Sequence, residues 1–172
     1  MTATLGPDAE RPWIPGYGVP ETTEGTLPWS WAEARLREAE TYWVATLHPA
    51  GRPHLMPTWG AWHAGRIWLE GGAATRRARN IARNPAVSVA IELPRDGALV
   101  VEGTAAFAVE LDEATIAGFV DAMAKYATPP RSYIVDPANF VANPAGGLWA
   151  VTPRIVFGWS RFPDDATRWR FG

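Results

Sequence analysis

The chain has 172 residues, of which 47% are hydrophobic, and this size and composition fit one soluble domain with a substantial core. Its net charge of −2 argues against a nucleic-acid partner or an anionic-membrane surface, and no apolar run approaches the roughly 20 residues of a membrane span. The absence of cysteine excludes disulfides and thiolate-bound metals, and it fits a reducing cytosol. Because no signal peptide is recognisable, we expect a cytoplasmic protein. The three histidines lack helical ligand spacing, so no metal site is predicted.

The first 28 residues hold five prolines and four glycines, which predicts an extended arm over residues 1–28 rather than a helix or a central strand. Trp13, Ile14 and Tyr17 favour packing of this arm against the remainder, although a loose tail fits the composition equally well. Residues 29–172 are interpreted as one further unit, and no second domain is predicted.

Local patterns predict a mainly β protein with a few inserted helices. A Ser-x-x-Glu capping box, Ser30 to Glu33, opens a helix over 30–40. Thr75 and Asp112 are good N-caps for two more helices, and a loop is predicted over 128–144. Aromatic and β-branched runs bounded by turn residues predict strands at 42–47, 52–62, 66–70, 86–92, 98–110, 148–152 and 155–160. Six or seven antiparallel strands indicate a small closed barrel.

The sharpest chemical feature is the run Thr75-Arg76-Arg77-Ala78-Arg79-Asn80. A hydroxyl at the N-cap, free N–H groups behind it and guanidinium groups in the first turn favour an anion at that point. Arginine also matches phosphate oxygens in a bidentate way. The residues alone leave two interpretations open: a phosphate site, or a solvated helix face with salt bridges.

The run from Trp43 to Asn84 resembles the pyridoxamine 5′-phosphate oxidase-like, flavin/deazaflavin oxidoreductase superfamily of split β-barrels. The ending Ala166 to Phe171 is similar to endings common among its short members. The pieces that carry the resemblance are the strand 42–47, the turn 50–54, Pro57-Thr58-Trp59, the strand 67–70, the run 75–81 and Asn84-Pro85.

The resemblance implies that residues 29–172 form a cofactor-binding split β-barrel domain. It also implies a homodimer with two cofactor sites at its interface. It implies that the second strand lays its backbone along a flavin ring, that the third strand contributes at its end, and that the start of the following helix holds the phosphate. The implied cofactor-binding residues are Met56, Pro57, Thr58, Trp59, Glu70, Gly71, Thr75, Arg76, Arg77, Arg79 and Asn80.

The resemblance departs from pyridoxamine oxidase itself at two points. The lysine that ends the second-strand motif is replaced by Trp59-Gly60-Ala61, and no Arg-x-His lies near the C-terminus. Vitamin B6 oxidation is therefore not predicted. The sequence also lacks a Gly-x-Gly-x-x-Gly fingerprint and a Gly-x-Ser-x-Gly elbow, and no acid–base residue can be named.

The expected activity is hydride transfer between a flavin-type cofactor and a small conjugated substrate. Arg79 and Arg83 lie on the same short helix as Arg76 and would suit the acidic tail of coenzyme F-420, so F-420 is favoured over FMN. Two alternatives stay open: a non-catalytic flavin, haem or tetrapyrrole carrier on the same barrel, and a degenerate barrel used as an oligomeric scaffold. Ten tryptophans exceed what one small core needs, so Trp59, Trp62 and Trp68 are candidates for a pocket wall or for the core.

Overall fold

Antiparallel strands form most of the molecule, as the sequence predicts. The computed structural model describes residues 6–95, 97–108, 111–141 and 147–172. Its strands are β1 Ala9–Glu10, β2 Tyr42–Leu47, β3 Pro53–Thr58, β4 Gly60–His63, β5 Arg66–Glu70, β6 Ala86–Glu92, β7 Ala98–Phe107, β8 Leu148–Trp159 and β9 Thr167–Arg170. The helices are α1 Trp29–Glu38, α2 Arg76–Arg83, α3 Glu113–Met123 and the short α4 Ala138–Val141, with a 3-10 turn at Ala124–Tyr126.

The strands pair in the order β1-β9-β8-β7-β6-β2-β3, and β5 joins β8 while β4 joins β5. The segment predicted as one strand over 52–62 is two strands, because β3 pairs with β2 whereas β4 pairs with β5. Trp59 lies at the break between them. At Trp59 the chain therefore passes from the pair formed by β2 and β3 to the pair formed by β4 and β5. The barrel is split at this residue.

The closing strand differs from the prediction in the opposite sense. The segments predicted at 148–152 and 155–160 form the single strand β8, although Pro153 donates no ladder N–H. The register slips at this point, since Glu102 faces Ile155 while the next residue, Gly103, faces Pro153. A β-bulge therefore accommodates the proline. Gly103 is required there, because a Cβ would lie 2.2 Å from the carbonyl oxygen of Thr152.

The N-terminal arm is attached to the end of the chain. β1 pairs with β9, and Glu10 forms an ion pair with Arg168 at 2.7 Å. The guanidinium of Arg11 donates to the carbonyl oxygens of Ala166 (2.8 Å) and Thr22 (2.6 Å). Trp13 is nevertheless 84% exposed. β1 lies in the predicted extended arm, and β9 lies beyond the last predicted strand, at 155–160.

The helix α1 begins without the predicted capping box. Its N-cap is Pro28, which offers no side-chain acceptor, and Ser30 lies inside the helix. Glu33 instead accepts hydrogen bonds from Trp62 Nε1 (3.0 Å) and Arg37 (2.9 Å). The other two caps are as predicted: Thr75 Oγ1 and Asp112 Oδ1 accept from backbone N–H groups three residues on, at 3.1 and 2.6 Å.

Two apolar clusters hold the barrel together. The larger fills the interior and includes inward-facing valines of β2, β6, β7 and β8. The smaller lies where α3 packs on β4 and β5, around Phe119, Met123 and Tyr126. Of the candidate pocket tryptophans, Trp62 and Trp68 are buried in these clusters and Trp59 is 39% exposed. Only Trp59 of the three thus presents a substantial surface in the described structure.

Candidate functional site

The start of α2 presents positive charge without described counter-ions. Thr75 uses its hydroxyl to cap the helix, and no acidic residue stands in the first turn. Arg76, Arg79 and Arg83 are exposed, and none of them forms an ion pair with a described residue. The alternative interpretation, a solvated helix face with salt bridges, is met only in part, because these arginines are solvated but form no salt bridge with a described residue. An anion near this turn would be favoured by the helix dipole and by these guanidinium groups.

The turn between β2 and β3 adds to this positive surface. The pKa of His48 is lowered by partial desolvation and by the nearby charges of Arg52, Arg76 and His54. Arg76 therefore lies close enough to the β2–β3 turn for its charge to act on the imidazole. We call Arg52, Arg76, Arg79 and Arg83 the cationic strip.

Arg77 differs from its neighbours because it turns back toward the end of β5. Its Nη2 donates to the carbonyl oxygen of Glu70 at 2.7 Å, and burial lowers the pKa of the guanidinium. A Cβ on Gly71 would lie 2.6 Å from this nitrogen, so a side chain at this position would require the guanidinium to shift. Gly71 is also held by Gly147 O, which accepts from its N–H at 3.2 Å, and by Trp149 Nε1, which donates to its carbonyl oxygen at 3.0 Å.

The carboxylate of Glu70 is fixed by a tyrosine from a distant loop. The hydroxyl of Tyr133 lies 2.9 and 2.8 Å from the two carboxylate oxygens, which share its one proton. Burial raises the pKa of Glu70, and the bond from Tyr133 partly opposes that shift. Desolvation and the neighbouring carboxylate raise the pKa of Tyr133 to about 12, so its hydroxyl stays protonated at neutral pH.

Trp59 connects this carboxylate to the split between β3 and β4. Its ring stacks on Tyr126, with centroids 5.1 Å apart and planes 17° apart, and it lies 5.4 Å from the ring of Tyr133. The hydroxyl of Tyr126 donates to Glu40 O at 2.8 Å and accepts from the N–H of Gly60 at 3.2 Å. Trp59 and Glu70, predicted from separate strands, are thus brought together by these two tyrosines.

The other residues predicted on β3 line its outer edge. Met56 is 50% exposed, Pro57 is exposed, and the hydroxyl of Thr58 donates to the carbonyl oxygen of Trp59 at 3.2 Å. The strand pairs only with β2 in the described structure. Its second edge is therefore open to a ligand or to another chain.

Asn80 is the one predicted site residue with no exposed surface. Its Nδ2 donates to Thr46 Oγ1 at 2.9 Å, while its Oδ1 has no hydrogen-bond partner among the described residues. Thr46 in turn lies 3.4 Å from Nδ1 of His54. In this structure Asn80 anchors α2 to β2 and thereby fixes where the cationic strip lies.

Sequence reasoning missed Tyr126, Tyr133 and Lys125, which lie on or near the 3-10 turn. Nζ of Lys125 donates to the carbonyl oxygens of Arg37 (3.2 Å) and Ala39 at the end of α1, and it lies 5.2 and 5.3 Å from two tyrosine rings. Burial lowers the pKa of this amine to about 8. Their sequence separation from Trp59 and Glu70 left no local pattern to detect.

Other features of the described residues bear on the remaining expectations. No group of three or more His, Asp or Glu side chains among them is arranged to hold a metal ion. None of the helices they form is long and apolar enough to span a bilayer. A cavity of about 800 Å³ lies between the end of α1 and β6, with Trp31, Arg35 and Trp43 in its wall. It is separate from the predicted cofactor residues.

The topology is that of an antiparallel barrel split between two consecutive strands, β3 and β4, with the cationic helix α2 after β5. The family model of pyridoxamine 5′-phosphate oxidase matches residues 31–159, and the chain belongs to this family. The prediction from the sequence is confirmed at this level. No curated protein matches the sequence.

Solved structures share the fold. A conserved hypothetical protein from Mycobacterium tuberculosis is 26% identical, with a TM-score of 0.65 over 81% of this chain and 88% of that one. An F-420 reductase is 22% identical, with a TM-score of 0.54 over 72% and 94%. A haem-binding protein from Mycobacterium smegmatis is 22% identical, with a TM-score of 0.58 over 82% and 58%. The expected split barrel is therefore confirmed, whereas the second and third of these neighbours are named for different groups, F-420 and haem.

Proposed function

We propose that this protein is an oxidoreductase that uses a flavin-type cofactor, F-420 in preference to FMN, to transfer a hydride to a small conjugated substrate. The observation that carries the proposal is the start of α2. Five residues separate this helix from the end of β5, the helix carries three exposed arginines, and no described acid pairs with them. The phosphate of such a cofactor would satisfy both the charges and the free N–H groups.

The residues present fit such a cofactor in type and order. Arg76 and the first-turn N–H groups would hold the phosphate, while Thr75 and Arg77 shape the turn through the bonds that they already make. The backbone from Met56 to Trp59, and that of Glu70 and Gly71, would border the ring. When bound, a flavin-type ring supplies the hydride chemistry, and the chain's own residues bind it, orient it and exclude water.

The preference for F-420 rests on Arg79 and Arg83, the two arginines of the cationic strip that follow Arg76 along α2. FMN ends at its phosphate, whereas F-420 continues into an acidic lactyl-glutamyl tail. Arg79 and Arg83 follow Arg76 along α2, and residues three or four apart share a helix face. Arg79 and Arg83 form no ion pair with a described residue, so the acidic tail of F-420 along this face would supply their counter-charge.

Side-by-side titration with F-420 and FMN at moderate salt tests the choice of cofactor. We expect tighter binding of F-420, and we expect Arg79→Ala/Arg83→Ala to weaken F-420 binding while FMN binding stays unchanged. A yellow purified protein that binds FMN tightly and does not respond to F-420 would overturn the preference. A haem spectrum without a response to either flavin-type cofactor would indicate the non-catalytic carrier instead.

We also propose a homodimer that places the cofactor sites at its interface. Trp43, Ala90, Val100 and Phe157 stand in register across four strands, on the face opposite the buried valines. Each is partly exposed, and Pro57 extends the row onto β3 in register with Trp43. An apolar row that ends at the predicted ring-binding strand supports burial of both by a second copy.

A further inference from the structure

A half-buried carboxylate without a cation lies at the end of β5. Both oxygens of Glu70 accept from the Tyr133 hydroxyl, and no Lys, Arg or His among the described residues is within ion-pair distance of them. Arg77 bonds the carbonyl oxygen of Glu70 and not its side chain. Withdrawing a carboxylate from water without a counter-charge is unfavourable, and a cationic ligand would offset that cost.

Aromatic rings stand next to this carboxylate. Tyr133 joins the two features, because its hydroxyl bonds Glu70 while its ring lies 5.4 Å from that of Trp59. Trp59 is stacked on Tyr126 and still 39% exposed. Aromatic faces attract cations and stack on planar groups. Carboxylate and indole are thus held in one unit that remains partly open.

The cations near this unit already have partners. Arg131 lies 5.9 Å from the Tyr126 ring and forms an ion pair with Glu40 at 2.7 Å. Lys125 is bonded to the carbonyl oxygens at the end of α1. Neither of them neutralises Glu70. The charge that a ligand would meet at this place is therefore negative, in contrast to the cationic strip.

We infer that Trp59, Tyr133 and Glu70 form a subsite for a planar aromatic cation, whose ring stacks on the indole and whose N–H groups donate to the carboxylate. The identification of this ligand with the substrate rests on the proposed function, whereas the binding itself does not. The subsite selects against aromatic anions, because a second negative charge next to the half-buried Glu70 carboxylate is repelled.

Three probes of one shape and different charge test the subsite: benzamidinium, benzamide and benzoate. Protein labelled with 5-fluorotryptophan gives one fluorine resonance for each of its ten tryptophans, and Trp59→Phe identifies the one from Trp59. We expect benzamidinium to shift this resonance saturably, benzamide to act more weakly and benzoate not at all. Equal responses to all three probes, or a benzamidinium shift confined to other tryptophans, would overturn the proposal.

Variants test the role of the carboxylate. Glu70→Gln should weaken benzamidinium binding about tenfold or more, since a charge-assisted hydrogen bond is lost. Glu92→Gln removes an exposed carboxylate at the end of β6 and should leave benzamidinium binding unchanged. Tyr133→Phe keeps the Glu70 carboxylate but removes the hydroxyl that holds it in place. We therefore expect a smaller loss of benzamidinium affinity than in Glu70→Gln. If Glu70→Gln does not fold, the contrast between benzamidinium and benzoate on the wild-type protein decides.

Repeating the benzamidinium titration in protein saturated with F-420 or FMN separates this proposal from the proposed function. Retained binding supports a subsite beside the cofactor. Displacement by the cofactor would contradict it, because the carboxylate would then belong to the ring site. Failure of both cofactors to bind, with benzamidinium still bound at Trp59, would remove the proposed function and leave the subsite standing.

Discussion

Glu70 is the residue at which the two halves of the candidate site meet. Its carbonyl oxygen is bonded by Arg77 on the side of the phosphate turn, and its carboxylate is bonded by Tyr133 on the side of the aromatic rings. The sequence placed Glu70 in the site through the resemblance alone. Its partner Tyr133 was not predictable, because a tyrosine in a proline-rich loop carries no local signal for a contact 63 residues away.

The raised pKa of Glu70 makes a prediction about stability and pH. Because the folded protein binds this proton more tightly than the unfolded chain, the unfolding free energy falls as pH rises from near 4.5 through the raised pKa. The fall should be present in the wild-type protein and missing in Glu70→Gln. Thermal unfolding of both across this pH range measures it, with Glu92→Gln as the control for the background slope. A wild-type-minus-Glu70→Gln difference that is flat or rises with pH would contradict it.

Elements whose ends are set by local chemistry are the ones that the sequence predicts well. β2, β5 and β6 have the predicted bounds, and α2 begins behind its Thr75 cap as expected. Their turns and caps depend on residues within a few positions, which a single sequence displays.

Elements that depend on distant partners are predicted less well. The break at Trp59 arises because β3 and β4 pair with different strands, and the alternation of residues through 52–62 does not reveal it. β1 and β9 stabilise each other across the whole chain, so neither segment looks like a strand by itself. The same applies to Tyr126, whose stacking on Trp59 follows from how α3 packs on the barrel.

At the scale of the whole molecule, the proposed dimer predicts a mass of twice the 18.8 kDa of the chain by light scattering at micromolar concentration. Phe157→Glu should shift the protein toward the monomer, because it places a charge in the apolar row of the outer sheet face. Thr152→Glu, an exposed position on the same strand, is the matched control and should leave the mass unchanged. A wild-type monomer would contradict the proposed interface. The proposed cofactor site would then lack the part that the second copy supplies.

The dissociation constant of F-420 for Arg76→Ala tests the central claim most directly. Arg76 is exposed, makes no ion pair with a described residue and stands at the first position of α2, so its loss should spare the fold. Removing one charge-assisted contact to phosphate should raise the dissociation constant about ten- to hundredfold. Arg66→Ala, which removes an exposed arginine from the β4–β5 hairpin, should bind as the wild type does at moderate salt. Unchanged affinity in Arg76→Ala, or an equal loss in Arg66→Ala, would show that the phosphate is not held at the start of α2.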